Sequence, residues 1–305
     1  MLKKIILLAG PTASGKSKLA IQLAKKLNGE IINADSMQIY KEFSILSSRP
    51  NKKEEKKIKH HLYGFISVKD YFSAGEWLNL AKTKIINCHK NKKIPIVVGG
   101  TGLYFDAITK GISKIPEIDK KTREKTRNLF KRLGNINFYN RLIKIDPKVK
   151  NKILFTDSQR SQRAYEVFIK TKKSLFDWIS ITKSDFADYE ISKIFLDISR
   201  DELLDKISLR TELMFKKNCI LEVKKFNLLR LNKTLSANKL IGVREINEYL
   251  LNSISLDKCK GLINIKTRQY AKRQKTWARG HMSNWNKLYS KDFAVLLKKV
   301  LKLVS

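Results

Sequence analysis

The sequence predicts an α/β fold: an open, mostly parallel sheet core with a helical insertion domain and a helical C-terminal region. Three observations lead there. Short continuous apolar runs recur along the chain, as in strands buried on both faces. They alternate with segments whose apolar residues fall at helical spacing. The stretch 119–188 has the helical spacing and almost no strand-like runs.

In chain order, Ile5 to Ala9 is the first strand and a Gly-rich turn follows it. Leu19, Ala20, Leu23, Ala24 and Leu27 lie on one helical face, and Asn28-Gly29 supplies a stop. Glu30 to Ala34 is the second strand. The Lys-rich segment 51–59 reads as a solvated loop or helix face. Ile94 to Val98 is the third strand, ended by Gly99-Gly100, with a helix from Leu103 to Ile108. A charged helical stretch punctuated by Pro116 and Pro147 comes next, then a strand at Ile194 to Ile198. From Asp201 onward the chain is helical and ends very basic. The expected domains are therefore a core of 1–118 with 189–305, and an insertion of 119–188.

Lys and Arg number 64 against 28 Asp and Glu, a net charge of +36. Such a surface attracts polyanions, nucleic acid first among them. The richness in Lys, Ile and Asn also fits an AT-rich genome, so charge alone does not choose the partner. Cys88, Cys219 and Cys259 are far apart without a CxxC pair, so neither a disulfide framework nor a zinc site is expected. His60-His61 lacks an HExxH context and implies no metal site. No apolar run approaches the ~20 residues of a membrane span. The start, 1–8, mimics a leader, but its apolar part is too short and runs into the Gly-rich turn. A cytoplasmic protein without membrane partners is expected.

That turn reads Gly10-Pro11-Thr12-Ala13-Ser14-Gly15-Lys16-Ser17 and matches GxxxxGK[ST] between a strand and a helix. Glycines let backbone N–H groups wrap a phosphate, the next helix offers its N-terminus, Lys16 adds a point charge and the Ser17 hydroxyl can hold Mg²⁺. The core is thus P-loop NTPase-like, with a diphosphate or polyphosphate ligand that the loop itself does not specify.

Ligands of open α/β sheets bind beyond the carboxyl ends of the strands. Asp35, just after the second strand, either accepts a proton from an incoming nucleophile, holds Mg²⁺ or caps a turn. Thr101, after the third, either bonds the nucleophile or a phosphate, or caps the next helix. Asp197 is the nearest approach to an ATPase aspartate. Leu203, Ile207, Arg210 and Met214 share a helical face, so Arg210 sits in a core-facing stripe and needs an anion, from the protein or from the ligand. Arg268, Lys272, Lys275 and Arg279 form a positive stripe, with Tyr270, Gln274 and Trp277 on a second face. Gln159-Arg160-Ser161-Gln162-Arg163 is another basic cluster. Taken alone, these features also admit a small-molecule kinase, or an RNA-binding module that uses nucleotide structurally.

Together the segments resemble the tRNA dimethylallyltransferases (tRNA isopentenyltransferases). The carriers are GPTASGKS at 10–17, DSMQIY at 35–40, HHL at 60–62 and PIVVGGTGLY at 95–104. DSQRSQRAYE at 157–166, IGVRE at 241–245 and TRQYAKRQKTWAR at 267–279 complete the set. The resemblance implies prenyl transfer from dimethylallyl diphosphate to N6 of the adenine 3′ of the anticodon, with Mg²⁺, by a monomer acting on the anticodon stem-loop. Asp35 is similar to the general base, and Thr101 to the hydroxyl that assists at the amine and the diphosphate. Lys16 and Ser17 match donor- and Mg²⁺-binding positions, and Arg210 the diphosphate-binding arginine. It further implies tRNA contacts from Asp35, Ser36, Met37, Gln38, Thr101, Arg123, Gln159, Arg160, Ser161, Gln162, Arg163, Lys272, Arg273 and Arg279. Three positions depart: Val243 stands where the family often has Tyr, Leu46-Ser47-Ser48-Arg49-Pro50 where it has GTAKP, and Asn218 where it has Gly. None removes a proposed catalytic group.

Overall fold

The structure is a computed structural model and describes residues 3–232 and 235–304. The chain forms two compact units, Met1–Ile108 with Asp188–Ser305, and Thr109–Ala187. The larger unit begins with β1 (Lys4–Ala9), α1 (Lys16–Lys26), β2 (Gly29–Ala34) and the short surface helix α2 (Lys52–Lys57). The two-residue β3 (His60–His61), α3 (Ala74–Lys90), β4 (Ile94–Gly99) and α4 (Gly102–Lys110) follow. The smaller unit holds α5 (Lys120–Ile145), α6 (Ser158–Thr171) and α7 (Leu175–Ser180). The chain returns through β5 (Glu190–Leu196), α8 (Arg200–Lys216), α9 (Cys219–Asn227), α10 (Val243–Leu250), α11 (Leu256–His281), β6 (Asn286–Leu288) and α12 (Phe293–Val304).

The six strands make one parallel sheet in the order β3-β2-β4-β1-β5-β6, the α/β architecture expected. The leader-like start becomes the central strand from Lys4 onward, with Ile5 to Leu8 fully buried; Met1 and Leu2 lie outside the described residues. β5 starts earlier and ends earlier than the apolar run suggested. Its first half, Glu190 to Lys193, is only partly buried, and Lys4 pairs with Glu190 at 3.3 Å. β3 and β6 have too few residues for a periodic signal. Among the described residues no helix is long and apolar enough to cross a membrane.

One face of the sheet packs on α1 and α12 through Leu19, Leu23, Leu296 and Val300. On the other, Trp77 of α3 is fully buried, donates Nε1–H to the Asn33 carbonyl at 2.9 Å and stacks on Tyr104 of α4 at 4.1 Å. That one side chain fixes the ends of β2 and α4 relative to each other, which is where the site lies. A helical layer of α8 to α11 packs around Phe43, Met214, Val223, Phe226, Ile246 and Ile263. Its turn at Asn218 is left-handed (φ 63°), and the side chain caps α9 by accepting from Leu221 N. Asn thus takes the backbone conformation that glycine allows and adds a cap.

At the start of β2, Glu30 lies 2.6 Å from His61 Nε2 and accepts from the Cys88 thiol at 3.6 Å. Burial disfavours the charged Glu30, but His61 and Lys59 outweigh it and hold the carboxyl below its usual range. Burial pushes the Cys88 thiol up to about 12. The trio satisfies itself by hydrogen bonding and ties β2, β3 and α3 together.

In the smaller unit, α5 and α6 pack through Phe138, Leu142, Ala164 and Tyr165. Asp119 caps α5, accepting from Thr122 N at 2.7 Å, and pairs with Lys170 at 3.1 Å.

Candidate active site

The phosphate loop leaves β1 and enters α1 through Gly15, whose φ of 86° is left-handed. No side chain caps α1, so its first N–H groups remain available to an anion. Ala13 is also left-handed at φ 64°, and alternation of backbone hand turns successive N–H groups to one side. The Ser14 hydroxyl is buried without a hydrogen-bond partner among the described residues. Lys16 donates to the Pro11 carbonyl at 3.1 Å. Burial brings its ammonium down to about 8, with Asp35 opposing and Arg210 adding to the shift. Together these groups could hold an anion.

Two neighbouring strands bring the other groups. After β2, one Asp35 oxygen accepts from Met37 N at 2.9 Å, while Asn33 brackets the residue with bonds to its N–H and its carbonyl. The second carboxylate oxygen takes no protein hydrogen bond among the described residues, and Asp35 lines the cavity. The turn cap and the cavity-facing carboxylate are therefore both present. After β4, Thr101 Oγ1 accepts from Ser36 N at 2.9 Å and donates to Ser36 Oγ at 3.3 Å. Its hydroxyl is directed at the Asp35 turn rather than at α4. Tyr270 of α11 lines the same cavity as Thr101.

Arg210 arrives from α8, flanked by buried Leu203, Ile207 and Met214 as its spacing predicts. Its guanidinium donates to Thr12 Oγ1 and, at 3.4 Å, to the Leu46 carbonyl. Among the described residues it forms no ion pair with a carboxylate. Burial lowers its pKa, with Asp35 in opposition.

The Leu46 loop is held from behind by a residue that the sequence motifs do not reveal. Glu222 of α9 accepts from the backbone N–H groups of Ser44, Ile45 and Leu46 at 2.6, 2.8 and 2.9 Å. The available signal was a Glu inside the apolar run 219–223. Glu222→Gln faces those donors with one acceptor fewer and is expected to weaken inorganic diphosphate binding about tenfold. Calorimetric titration checks this; unchanged affinity would mean that the loop does not orient Arg210.

A cavity of about 550 Å³ is lined on its polar side by Lys16, Ser17, Asp35 and Arg210 and on its apolar side by Leu46, Val98, Met214, Leu240 and Ile263. A second, of about 290 Å³, is lined by Thr101, Leu103 and Trp277. The two share Ser36, Tyr270 and Arg273 as walls. Met37 and Gln38 border the larger one, and the Gln38 amide donates to the Ser47 and Ser48 carbonyls.

The basic helix is less uniform than its sequence stripe. Lys275 pairs with Asp197 at 2.7 Å and donates to the Ile198 carbonyl, so it is a tether rather than an offered charge. The same pair engages Asp197, the nearest approach to an ATPase aspartate. Arg268, Lys272 and Arg279 border a groove of about 750 Å³ on the face of α11 turned from Tyr270, whereas Arg273 belongs to the cavity side. In the smaller unit Arg123, Gln159 and Arg160 are exposed. Arg160 pairs with Asp157 and Arg163 with Glu166, Gln162 donates to the Ser158 carbonyl, and Ser161 is buried.

A loop of GxxxxGK[ST] sequence opening on a cavity whose far wall is apolar suits the transfer of a group that carries an apolar chain. Comparison with known proteins agrees. The model of the IPP transferase family matches residues 38–281. The chain is 52% identical to the tRNA dimethylallyltransferase of Pelagibacter ubique (strain HTCC1062), over 98% of this chain and 96% of that protein. It is 40% identical to that of Rickettsia massiliae (strain Mtu5), over 99% and 84%. The solved full-length tRNA isopentenylpyrophosphate transferase of Bacillus halodurans has TM-score 0.72 at 29% identity, covering 99% of this chain and 95% of that one. A eukaryotic dimethylallyltransferase solved acting on tRNA has TM-score 0.78 at 29% identity, covering 90% and 69%. The chain belongs to the IPP transferase family, and the resemblance drawn from its motifs is borne out.

Proposed function

We propose that this protein transfers the dimethylallyl group of dimethylallyl diphosphate to N6 of the adenine 3′ of the anticodon in tRNA. The observation that carries the reading is Arg210: a part-buried guanidinium that has no carboxylate partner among the described residues, bonded to Thr12 of the phosphate loop and lining the same cavity as Asp35. A diphosphate in the loop supplies the missing anion. The apolar wall of the cavity accepts the allylic chain. The allylic C–O bond breaks as Lys16 and Arg210 stabilise the departing diphosphate. The adenine cannot react within a stacked loop and must be drawn out into the site. Its N6 attacks the allylic carbon while Asp35 takes the proton and Thr101 orients the amine.

The donor set suits Mg²⁺. Ser17 opens α1 on the cavity, and a hydroxyl beside diphosphate oxygens is the hard-oxygen environment this ion prefers; the Ser14 hydroxyl, without a partner among the described residues, adds a polar group to the same loop. When bound, Mg²⁺ would neutralise charge on the leaving diphosphate. Arg123, Gln159, Arg160 and Arg163 of the smaller unit, with Lys272, Arg273 and Arg279 of the larger, would grip tRNA phosphates. A monomer working in the cytoplasm fits this role.

The test is incubation of the protein with Mg²⁺, labelled dimethylallyl diphosphate and unmodified tRNA, beside an ATP-only control. Label is expected in tRNA as N6-prenyladenosine, and chelation of the metal should abolish it. ATP consumption without tRNA, and no label transfer, would replace this reading with a kinase.

A further inference from the structure

Gln274 lies in the C-terminal half of α11. Its side chain is buried, and its amide is used in both directions. Oε1 accepts from Thr12 N at 2.8 Å, and Nε2 donates to the Gly100 carbonyl at 2.9 Å. Thr12 belongs to the phosphate loop and receives the Arg210 guanidinium on its hydroxyl. Gly100 immediately precedes Thr101. The two loops leave adjacent strands, β1 and β4, and one amide spans the gap between them. The fit is close: a Cβ on Gly100 would run into the Gln274 amide. Few side chains suit the position. A carboxylate offers two acceptors and an ammonium only donors, while an amide presents one of each on a planar end.

We propose that Gln274 is a positioning residue for the transfer, setting the separation between the donor's diphosphate on the phosphate loop and the acceptor amine beside Thr101. The inference rests on the function proposed above, in which these two loops carry the two substrates. Reactions between two bound groups depend steeply on their placement. A clamp between the loops therefore acts on turnover more than on the affinity of either substrate.

The experiment is steady-state prenyl transfer by the full chain with Mg²⁺, dimethylallyl diphosphate and tRNA, comparing wild type, Gln274→Glu and Gln274→Met. Ionised Glu keeps the bond from Thr12 N but opposes the Gly100 carbonyl with a second oxygen. At about pH 8, kcat of Gln274→Glu is expected to fall about tenfold or more, with both KM values within about threefold of wild type. A protonated carboxyl again presents a donor and an acceptor. The ratio of variant to wild-type rate should therefore climb as pH falls from about 8 to about 6. Gln274→Met should show no such climb. The charged and titratable groups around the clamp are Tyr270 and Arg273 on α11, Arg210 through Thr12, and Lys16 and Asp35 in the adjoining cavity. All are present in every protein compared, and Gln274→Met, which adds no charge beside them, is the control for their contribution.

A Gln274→Glu rate within about twofold of wild type overturns the inference. So does a loss that is the same at every pH and accompanied by raised KM and a lowered melting midpoint, the pattern of a merely structural residue. A wild type that transfers no prenyl group overturns the functional reading itself, a result distinguishable from either.

Discussion

Asp35→Asn is expected to lower kcat by about two to four orders of magnitude, the range lost when a general base is removed. The choice of Asn matters because Asp35 does two things. One oxygen caps the turn by accepting from Met37 N, and the asparagine carbonyl can still do so. The other oxygen, which takes no hydrogen bond from the described residues, becomes an amide unable to accept a proton. The substitution therefore removes the base and keeps the loop, whereas Asp35→Ala removes both. Measured tRNA affinity should stay within about threefold for Asn, because uniform binding and transition-state interactions are separable. Should tRNA binding fall in proportion to turnover, Asp35 would be a tRNA contact and not the base.

What the sequence reveals of this site follows the range of the interactions. The phosphate loop, the strand ends at Asp35 and Thr101, and the apolar stripe around Arg210 are local patterns, each legible within about four helical turns or one strand. The residues that hold them in place are not local. Gln274 lies 262 positions from Thr12, and Glu222 lies 178 from Ser44; nothing in either one's neighbourhood says what it will meet. The stripe from Arg268 to Arg279 lines one groove as its spacing predicts, but a partner for one of its charges is hidden for the same reason. Helical spacing puts Lys275 on the charged face, but Asp197 at the end of β5 reaches it. β5 itself is misplaced because its half-polar first residues lie beside Lys4 rather than in an apolar run. Periodicity finds buried faces, and it misses ladders completed by a neighbouring strand.

Arg210→Met should have effects of opposite sign on stability and on function. In the free protein the part-buried guanidinium projects from the helical face that carries buried Leu203, Ile207 and Met214, and among the described residues it bonds Thr12 and the Leu46 carbonyl. An unpaired charge in such a place is held at a cost, and an apolar side chain of similar length relieves it. The variant is expected to melt at the wild-type temperature or a few degrees above it, a gain of about 1 kcal/mol. Donor kcat/KM should fall about a hundredfold or more, because the group that compensates the departing diphosphate is gone. Thermal melting with and without inorganic diphosphate and Mg²⁺ reads both effects at once. At about 100 times Kd the ligand stabilises wild type by about 2.7 kcal/mol, and most of that increment should vanish in the variant while its ligand-free midpoint holds or rises. A variant that melts well below wild type yet keeps the diphosphate increment would make Arg210 a structural tether of the Leu46 loop. The anion that its place in the stripe demands would then be sought within the protein instead of in the substrate.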